Sequence, residues 1–317
     1  MIQGPVNKQA IEETSQLGQK PLGSTTALQT AAKIAIFTLP KPFVDPHISL
    51  IQSNAIRSWK ALCSDVEVIL MGDDEGVEMA ARELGTMHYG SVGKNDQGTP
   101  LLSDAFRAAA ELSKADVFIY CNCDVILLKD LLSSLEFVLA SEKVDSFVAF
   151  GRRIDLDVTN EIDFANPQAV AKLLDDVKKN GKLAPVVCKE YFAFTRDQFR
   201  SIPDFVVGRG NWDNWMLAHA KSIGLPVIDF TELVKVVHQS HDYSHMQTSR
   251  LNVYVSGQEA KQNQKLAGGR NVIGGSTGTW SLTSEGLSKD RMSWINKKFW
   301  MDLPRFLQMV LRFPFQK

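Results

Sequence analysis

The run Val117-Phe118-Ile119-Tyr120-Cys121-Asn122-Cys123-Asp124, continued at once by Val125-Ile126-Leu127-Leu128, constrains this chain more than any other stretch. Its length and its β-branched and aromatic content predict a buried central strand. The strand delivers one amide and one carboxylate, two residues apart, to its carboxyl end, the edge at which open α/β sheets bind ligands. Residues i and i+2 of an extended segment share a face, so Asn122 and Asp124 are expected to point at one ligand. A carboxylate there suits Mg²⁺ or Mn²⁺, which take oxygen ligands and keep substrate phosphates in their shell. The competing reading makes Asp124 a cap for the helix predicted over 129–140.

What surrounds this strand sets the fold class. Residues 33–38 read as a short apolar strand stopped by Leu39-Pro40-Lys41-Pro42, because prolines cannot continue the pairing. Asp45-Pro46 then opens a helix whose buried stripe is Ile48, Ile51, Ala55, Trp59 and Leu62. A strand over 66–71 runs into Gly72-Asp73-Asp74, and a helix carrying Val77, Ala81 and Leu84 stops at Gly85. A third strand at 87–89, a polar loop over 93–98 and a helix over 101–113 complete the approach to the central strand. Strand and helix alternating at this spacing predict an α/β fold with a mainly parallel sheet flanked by helices. At the shared carboxyl edge, Thr38, Asp73, Thr99 and Asn122, with Pro40 and Cys123 beside them, are candidates to hold a nucleotide. Asp and Thr are also ordinary helix caps. The chain has neither Gly-x-Gly-x-x-Gly after its first strand nor Gly-x-x-x-x-Gly-Lys-Ser/Thr anywhere, so phosphates would be neutralised by a metal instead.

Composition narrows the function classes. A net charge of -1 gives no general nucleic-acid-binding surface. Four cysteines, Cys63, Cys121, Cys123 and Cys188, with no secretory signal before them, suggest reduced thiols in a cytoplasmic protein. Cys121 and Cys123 lack a second pair, so packing is preferred to metal binding. Residues 1–32 are polar, without period, and read as a flexible lead-in. No run reaches the ~20 apolar residues that span a bilayer.

The strand order, an Asp after the second strand and the Asn122-Cys123-Asp124 motif together resemble the GT-A fold glycosyltransferases, the SpsA-like nucleotide-diphospho-sugar transferases, over about residues 33–245. In that family an Asp-x-Asp motif binds the sugar nucleotide through Mn²⁺ or Mg²⁺. Here Asn122 replaces the first Asp, so the resemblance implies Asp124 as metal ligand and Asn122 as a ribose or sugar contact. Asp155-Leu156-Asp157 is a literal Asp-x-Asp, but no apolar run follows it, and it is set aside as a decoy. Arg152 and Arg153, on the turn before it, are candidates to meet acceptor or diphosphate oxygens.

Further along, Asn166-Pro167 caps a helix read as a surface insertion, and a strand over 186–194 brings Tyr191, Phe192 and Phe194, which fill the core or wall an acceptor site. Gly208-Arg209-Gly210-Asn211-Trp212-Asp213 is a glycine turn into a helix over 212–223, with Trp215, Ala218 and Ile223 at helical spacing and Gly224 as its stop. Resemblance to inverting GT-A enzymes implies Asp213 as the general base on the acceptor hydroxyl, with Trp212 beside the acceptor. Three of six histidines, His238, His241 and His245, fall within eight residues, and neutral imidazole is a frequent divalent-metal ligand. The resemblance implies a His after a late strand completing the metal shell, His238 first and His241 second. His47, His88 and His219 stand alone and read as structural.

Residues 246–290 are polar and glycine-rich and read as a loop or lid, with Arg270 a candidate diphosphate partner. Residues 291–317 carry two amphipathic helical patterns rich in basic residues, with Trp294 and Trp300, and form a C-terminal helical extension. They either pack on the catalytic domain or contact the inner face of a membrane peripherally. The expectation is a cytoplasmic, Mn²⁺- or Mg²⁺-dependent glycosyltransferase in glycan or polysaccharide synthesis, taking a nucleoside-diphosphate sugar donor and a glycan or lipid-linked acceptor. A sugar-phosphate nucleotidyltransferase and a non-catalytic carbohydrate-binding protein are the alternatives.

Overall fold

A computed structural model of the chain describes residues 32–186, 188–241, 256–268 and 277–290. Residues 1–31, His245, Arg270 and the extension over 291–317 lie outside the described residues. The first half alternates as the sequence predicts: β1 (Ile34–Thr38), α1 (Pro46–Lys60), β2 (Glu67–Met71), α2 (Val77–Leu84), β3 (Met87–Tyr89), α3 (Leu102–Leu112) and β4 (Val117–Cys121). There follow β5 (Val125–Ile126), α4 (Lys129–Leu139), β6 (Val148–Phe150), β7 (Arg153–Leu156), α5 (Pro167–Asn180) and β8 (Lys182–Leu183). The remainder comprises β9 (Tyr191–Thr195), α6 (Trp212–Ser222), β10 (Val227–Asp229), β11 (Val236–Gln239), α7 (Gln258–Leu266), β12 (Trp280–Thr283) and β13 (Gly286–Lys289).

Among the described residues the strands form two sheets. The larger runs β13-β12-β10-β6-β9-β4-β1-β2-β3 and is mainly parallel, with β9 antiparallel between β4 and β6 and β13 antiparallel at the edge. The smaller runs β5-β11-β7-β8. Local chemistry explains the first elements. Asp45 accepts from the Ile48 amide at 2.9 Å and Pro46 fills the first helical position, while Gly85 takes the left-handed conformation (φ 62°) that ends α2.

β1 and β4 are buried on both faces, and their period of two divides the core. Ile34, Ile36, Ile119 and Cys121 face Ile56 and Trp59 of α1. Ala35, Phe37, Phe118 and Tyr120 face Phe106 of α3 and Trp212 and Met216 of α6. Each fully buried large side chain contributes roughly 1.5–3 kcal/mol, which makes these two layers the anchor of the fold.

Several expectations differ from the structure. The central strand stops at Cys121, and Asn122-Cys123-Asp124 form a turn closed by the Val125 amide donating to Asn122 O at 3.2 Å. Asn122 and Asp124 therefore do not share a strand face. Asp124 is not a helix cap either, since α4 starts from Leu128 with no side-chain cap. The strand expected over 186–194 begins only at Tyr191, and its aromatic residues are core, with Tyr191 and Phe192 fully buried. The α6 face is set by Trp212, which lies 5.1 Å from the Tyr120 ring and 5.5 Å from Phe192. That phase buries Met216, Leu217 and Ala220, while Trp215 stacks on His219 and Ile223 is exposed. The segment read as a lid contains α7 and the β12-β13 hairpin, which extends the large sheet. Leu282 pairs with Leu287 across that hairpin, and both are buried around a Ser284-Glu285 turn that composition alone reads as loop. Among the described residues no helix is long and apolar enough to cross a membrane.

Candidate metal centre

The turn Asn122–Asp124 joins the two sheets, since β4 belongs to one and β5 to the other. β11 pairs with both β5 and β7, and its register sets His238 opposite Val125 on one side and Asp155 on the other. The Gln239 amide donates to Asp124 O at 3.0 Å, and Gln239 Nε2 donates to Ile51 O at 2.7 Å, which pins this strand to the turn and to α1. As a result one donor atom each from Asp124, His238 and His241 lies within 4.8 Å of the others. Asp124 Oδ2 is 3.2 Å from His241 Nε2 and 3.9 Å from His238 Nε2.

The electrostatics suit a cation. Burial acts to raise the Asp124 carboxyl, but the hydrogen bond from His241 and the charges of His238 and Lys41 outweigh it and hold the group well below the usual carboxylate range. Burial lowers the His238 pKa, with the charge of Arg153 acting in the same direction, against the pull of Asp124 and Asp155. Asp124 Oδ1 is buried and has no hydrogen-bond partner among the described residues. An orphaned carboxylate oxygen beside two imidazoles fits a divalent ion of the Mn²⁺ type, which accepts mixed oxygen and nitrogen ligands.

Behind this trio lies a network that sequence reasoning missed. His238 Nδ1 is 3.0 Å from Asp155 Oδ1, and Arg153 Nε lies 2.8 Å from the same oxygen. Arg153 also pairs with Glu190, which in turn accepts from Asn122 Nδ2. Burial pushes Glu190 up to about 7, against the opposing charge of Arg153. Asp155 Oδ1 and His238 Nδ1 face each other at ion-pair distance without hydrogen-bond geometry, so the carboxylate set aside in the sequence lies beside one of the three. Its relevance depends on the pairing of β7 with β11, which no local pattern announces. Lys41 was legible in principle, as a cation fixed between two prolines at the end of β1. Its Nζ is 3.2 Å from His241 Nε2 and 3.8 Å from Asp124 Oδ2.

A second group surrounds Asp213 in the first turn of α6. Burial raises its carboxyl, and the charge of Lys189 opposes the rise. Lys189 is only 4% exposed, with Nζ 3.5 Å from Asn214 Oδ1 and 5.5 Å from the centre of the Phe150 ring. Lys189 and Glu190 are chain neighbours, one serving the α6 side and the other Asn122, so this segment links the two groups.

The remaining candidates are dispersed. Thr38, Pro40 and Cys123 are buried, and burial pushes the Cys123 thiol well up, so their side chains lie beneath the edge instead of on it. Asp73 is exposed and paired with Lys94, whose ammonium holds its carboxyl down. Thr99 is half-buried, its amide donating to Asn95 Oδ1 at 2.9 Å. Arg152 donates twice to Ala184 O, at 2.9 and 2.6 Å, and Arg153 is committed to Glu190 and Asp155. Trp212 is core. These three are therefore not presented to an acceptor as expected. His47 bonds Ser240 O, His88 bonds Gly72 O and His219 stacks on Trp215.

No protein-family model matches the chain, and no curated protein matches it in sequence. Among solved structures the chain is similar to glucosyl-3-phosphoglycerate synthase from Mycobacterium tuberculosis. The likeness is 14% identity and TM-score 0.44 to its complex with Mg²⁺ and uridine-diphosphate, covering 75% of this chain and 80% of that one. It is 16% identity and TM-score 0.44 to the complex with Mn²⁺, uridine-diphosphate and phosphoglyceric acid, covering 75% and 79%. At these values the likeness assigns no residue and no substrate to this chain.

Proposed function

We propose that the protein is a glycosyltransferase that moves a sugar from a nucleoside-diphosphate sugar to an acceptor hydroxyl with inversion, using Mn²⁺ or Mg²⁺ held by Asp124, His238 and His241. The observation that carries this reading is the convergence of those three side chains just beyond β4, at the carboxyl edge of parallel strands, with one Asp124 oxygen left unpartnered. A bound divalent ion would neutralise the donor diphosphate as it departs.

The other roles belong to the chain's own groups. Asp155 places a counter-charge 3.0 Å from the His238 ring, and Glu190 holds the Asn122 amide in the turn, leaving Asn122 Oδ1 for a ribose or sugar hydroxyl. Asp73, with Lys94, offers a nucleoside contact at the end of β2. Asp213 accepts the acceptor proton: burial moves its pKa toward neutrality, where a general base is most effective, and Lys189 favours its ionised form. Burial of Trp59 and Trp212 removes two aromatics that a carbohydrate-binding surface would use. Arg270 and residues 291–317 lie outside the described residues. The basic, tryptophan-bearing pattern of 291–317 supports peripheral contact with anionic lipid near a glycan or lipid-linked acceptor. Sedimentation with anionic liposomes, lost on deleting 303–317 or raising salt, is the expected result, and equal recovery of both forms in the supernatant would exclude it.

The donor reading is tested by a thermal-shift series with UDP-, GDP- and dTDP-sugars, each with and without Mn²⁺. One nucleotide sugar is expected to stabilise the protein in a Mn²⁺-dependent way. A flat response to all, or an equal response in EDTA, contradicts the proposal.

A further inference from the structure

We propose that Lys41 is a built-in counter-cation of the metal centre, which neutralises Asp124 before the divalent ion arrives and transfers its ammonium to the donor diphosphate when the ion binds. This makes metal and diphosphate binding cooperative, and it rests on the reading of the centre as a divalent-cation site.

Lys41 stands between Pro40 and Pro42, whose rings fix φ on either side. Its backbone is held twice by one buried amide: the Lys41 N–H donates to Gln52 Oε1 at 2.7 Å, and Gln52 Nε2 donates to Lys41 O at 3.0 Å. Gln52 is 2% exposed in α1, so the main chain at Lys41 is anchored and the side chain is what can move. The ammonium sits against two of the three donor residues, 3.2 Å from His241 Nε2 and 3.8 Å from Asp124 Oδ2. The carboxylate and both histidines are nearly buried, with side-chain exposures of 13%, 8% and 3%, whereas the Lys41 side chain is 38% exposed.

Those contacts have a consequence. An ion that takes His241 Nε2 as a ligand claims the atom the ammonium now contacts at 3.2 Å, and like charges at such separations in a poorly hydrated site repel strongly. The ion must displace the ammonium, and the flexible four-carbon stem with its exposed side gives lysine a way out. The same loop borders the carboxyl edge of β1, where a diphosphate brings the negative charge that the displaced ammonium needs. Metal binding alone strands the lysine, while metal binding with diphosphate does not. By linkage the diphosphate must then tighten the metal by the same factor as the metal tightens the diphosphate.

The test titrates Mn²⁺, with free ion counted by electron paramagnetic resonance, into the wild type, Lys41→Met and Lys41→Gln, alone and with saturating UDP, GDP or dTDP. Thermal melts establish that each variant is folded. Lys41→Met is expected to bind Mn²⁺ alone about tenfold tighter than the wild type. The wild type is expected to gain about tenfold or more in Mn²⁺ affinity from the nucleotide it accepts, and both variants to lose most of that gain. If the wild type binds Mn²⁺ but neither variant binds it tighter, or both retain the full coupling, the inference is wrong and the metal centre stands. If no form binds Mn²⁺, the metal reading itself is wrong.

Discussion

A buried carboxylate oxygen without a partner costs stability, since the desolvation of a charged group exceeds that of a neutral one. Asp124 Oδ1 is such an atom, and the divalent ion proposed above would supply its partner. At the same scale, Asp213→Asn is expected to leave nucleotide-sugar affinity nearly unchanged and to lower turnover by about 10²-fold or more, as loss of a general base commonly does. Steady-state kinetics with the natural acceptor check it, and near-normal turnover removes Asp213 from the mechanism. Glu190 supplies a pH prediction. Its folded pKa of about 7 exceeds the ordinary 4.5, so the stability it contributes is fully present below about 4.5 and lost as pH rises toward 7. A displacement of that size corresponds to roughly 3 kcal/mol. Urea melts should show the wild type losing stability relative to Glu190→Gln across this window; a constant difference between the two would mean that Glu190 does not titrate there.

α7 acts as a clasp between segments distant in sequence. Asn263 is fully buried, accepting from the Val206 amide at 2.9 Å and donating to Val206 O at 3.0 Å and to Gly210 O at 3.3 Å. Glu259 receives Asn95 from the loop after β3 and a two-pronged contact from Arg209. The helix thereby ties the Gly208–Gly210 turn, which launches Asp213, to the loop carrying Thr99. Asn263→Ala strands buried backbone groups and is expected to cost about 2–3 kcal/mol in chemical denaturation. A loss below about 0.5 kcal/mol would deny α7 this role. Elements of this kind mark where the sequence stopped being legible. The alternation through β4 could be read because each helix carries its own cap, stripe and stop, as Asp45, Trp59 and Gly85 illustrate. α7 and the β12-β13 hairpin could not, because their polar composition hides the buried Glu259, Asn263, Leu282 and Leu287, which acquire partners only through tertiary contacts. Asp124, His238 and His241 were legible as ligand types at strand ends. Asp155 and Glu190 were not, because the register of β11 against β7 and the course of the chain before β9 bring them in.

The centre lies where the two sheets meet, with α1 fastened beside it by Trp59 Nε1 donating to Val125 O at 2.9 Å. A ligand that bridges Asp124 and β11 therefore couples to the stability of both sheets. Mn²⁺ at a hundred times its dissociation constant is expected to add about 2.7 kcal/mol, read as a melting temperature several degrees higher. EDTA should reverse the shift, and Asp124→Ala should abolish it. A rise that survives in Asp124→Ala would place the ion elsewhere. Anomalous diffraction from crystals grown with Mn²⁺ shows whether this junction holds a divalent cation on one carboxylate and two imidazoles. One strong manganese peak is expected in contact with Asp124, His238 and His241, at roughly 2.0–2.2 Å from the ligating atoms, as for first-row divalent ions. An empty site at that position, or a peak on the neighbouring carboxylates of Asp155 and Asp157 instead, would contradict it.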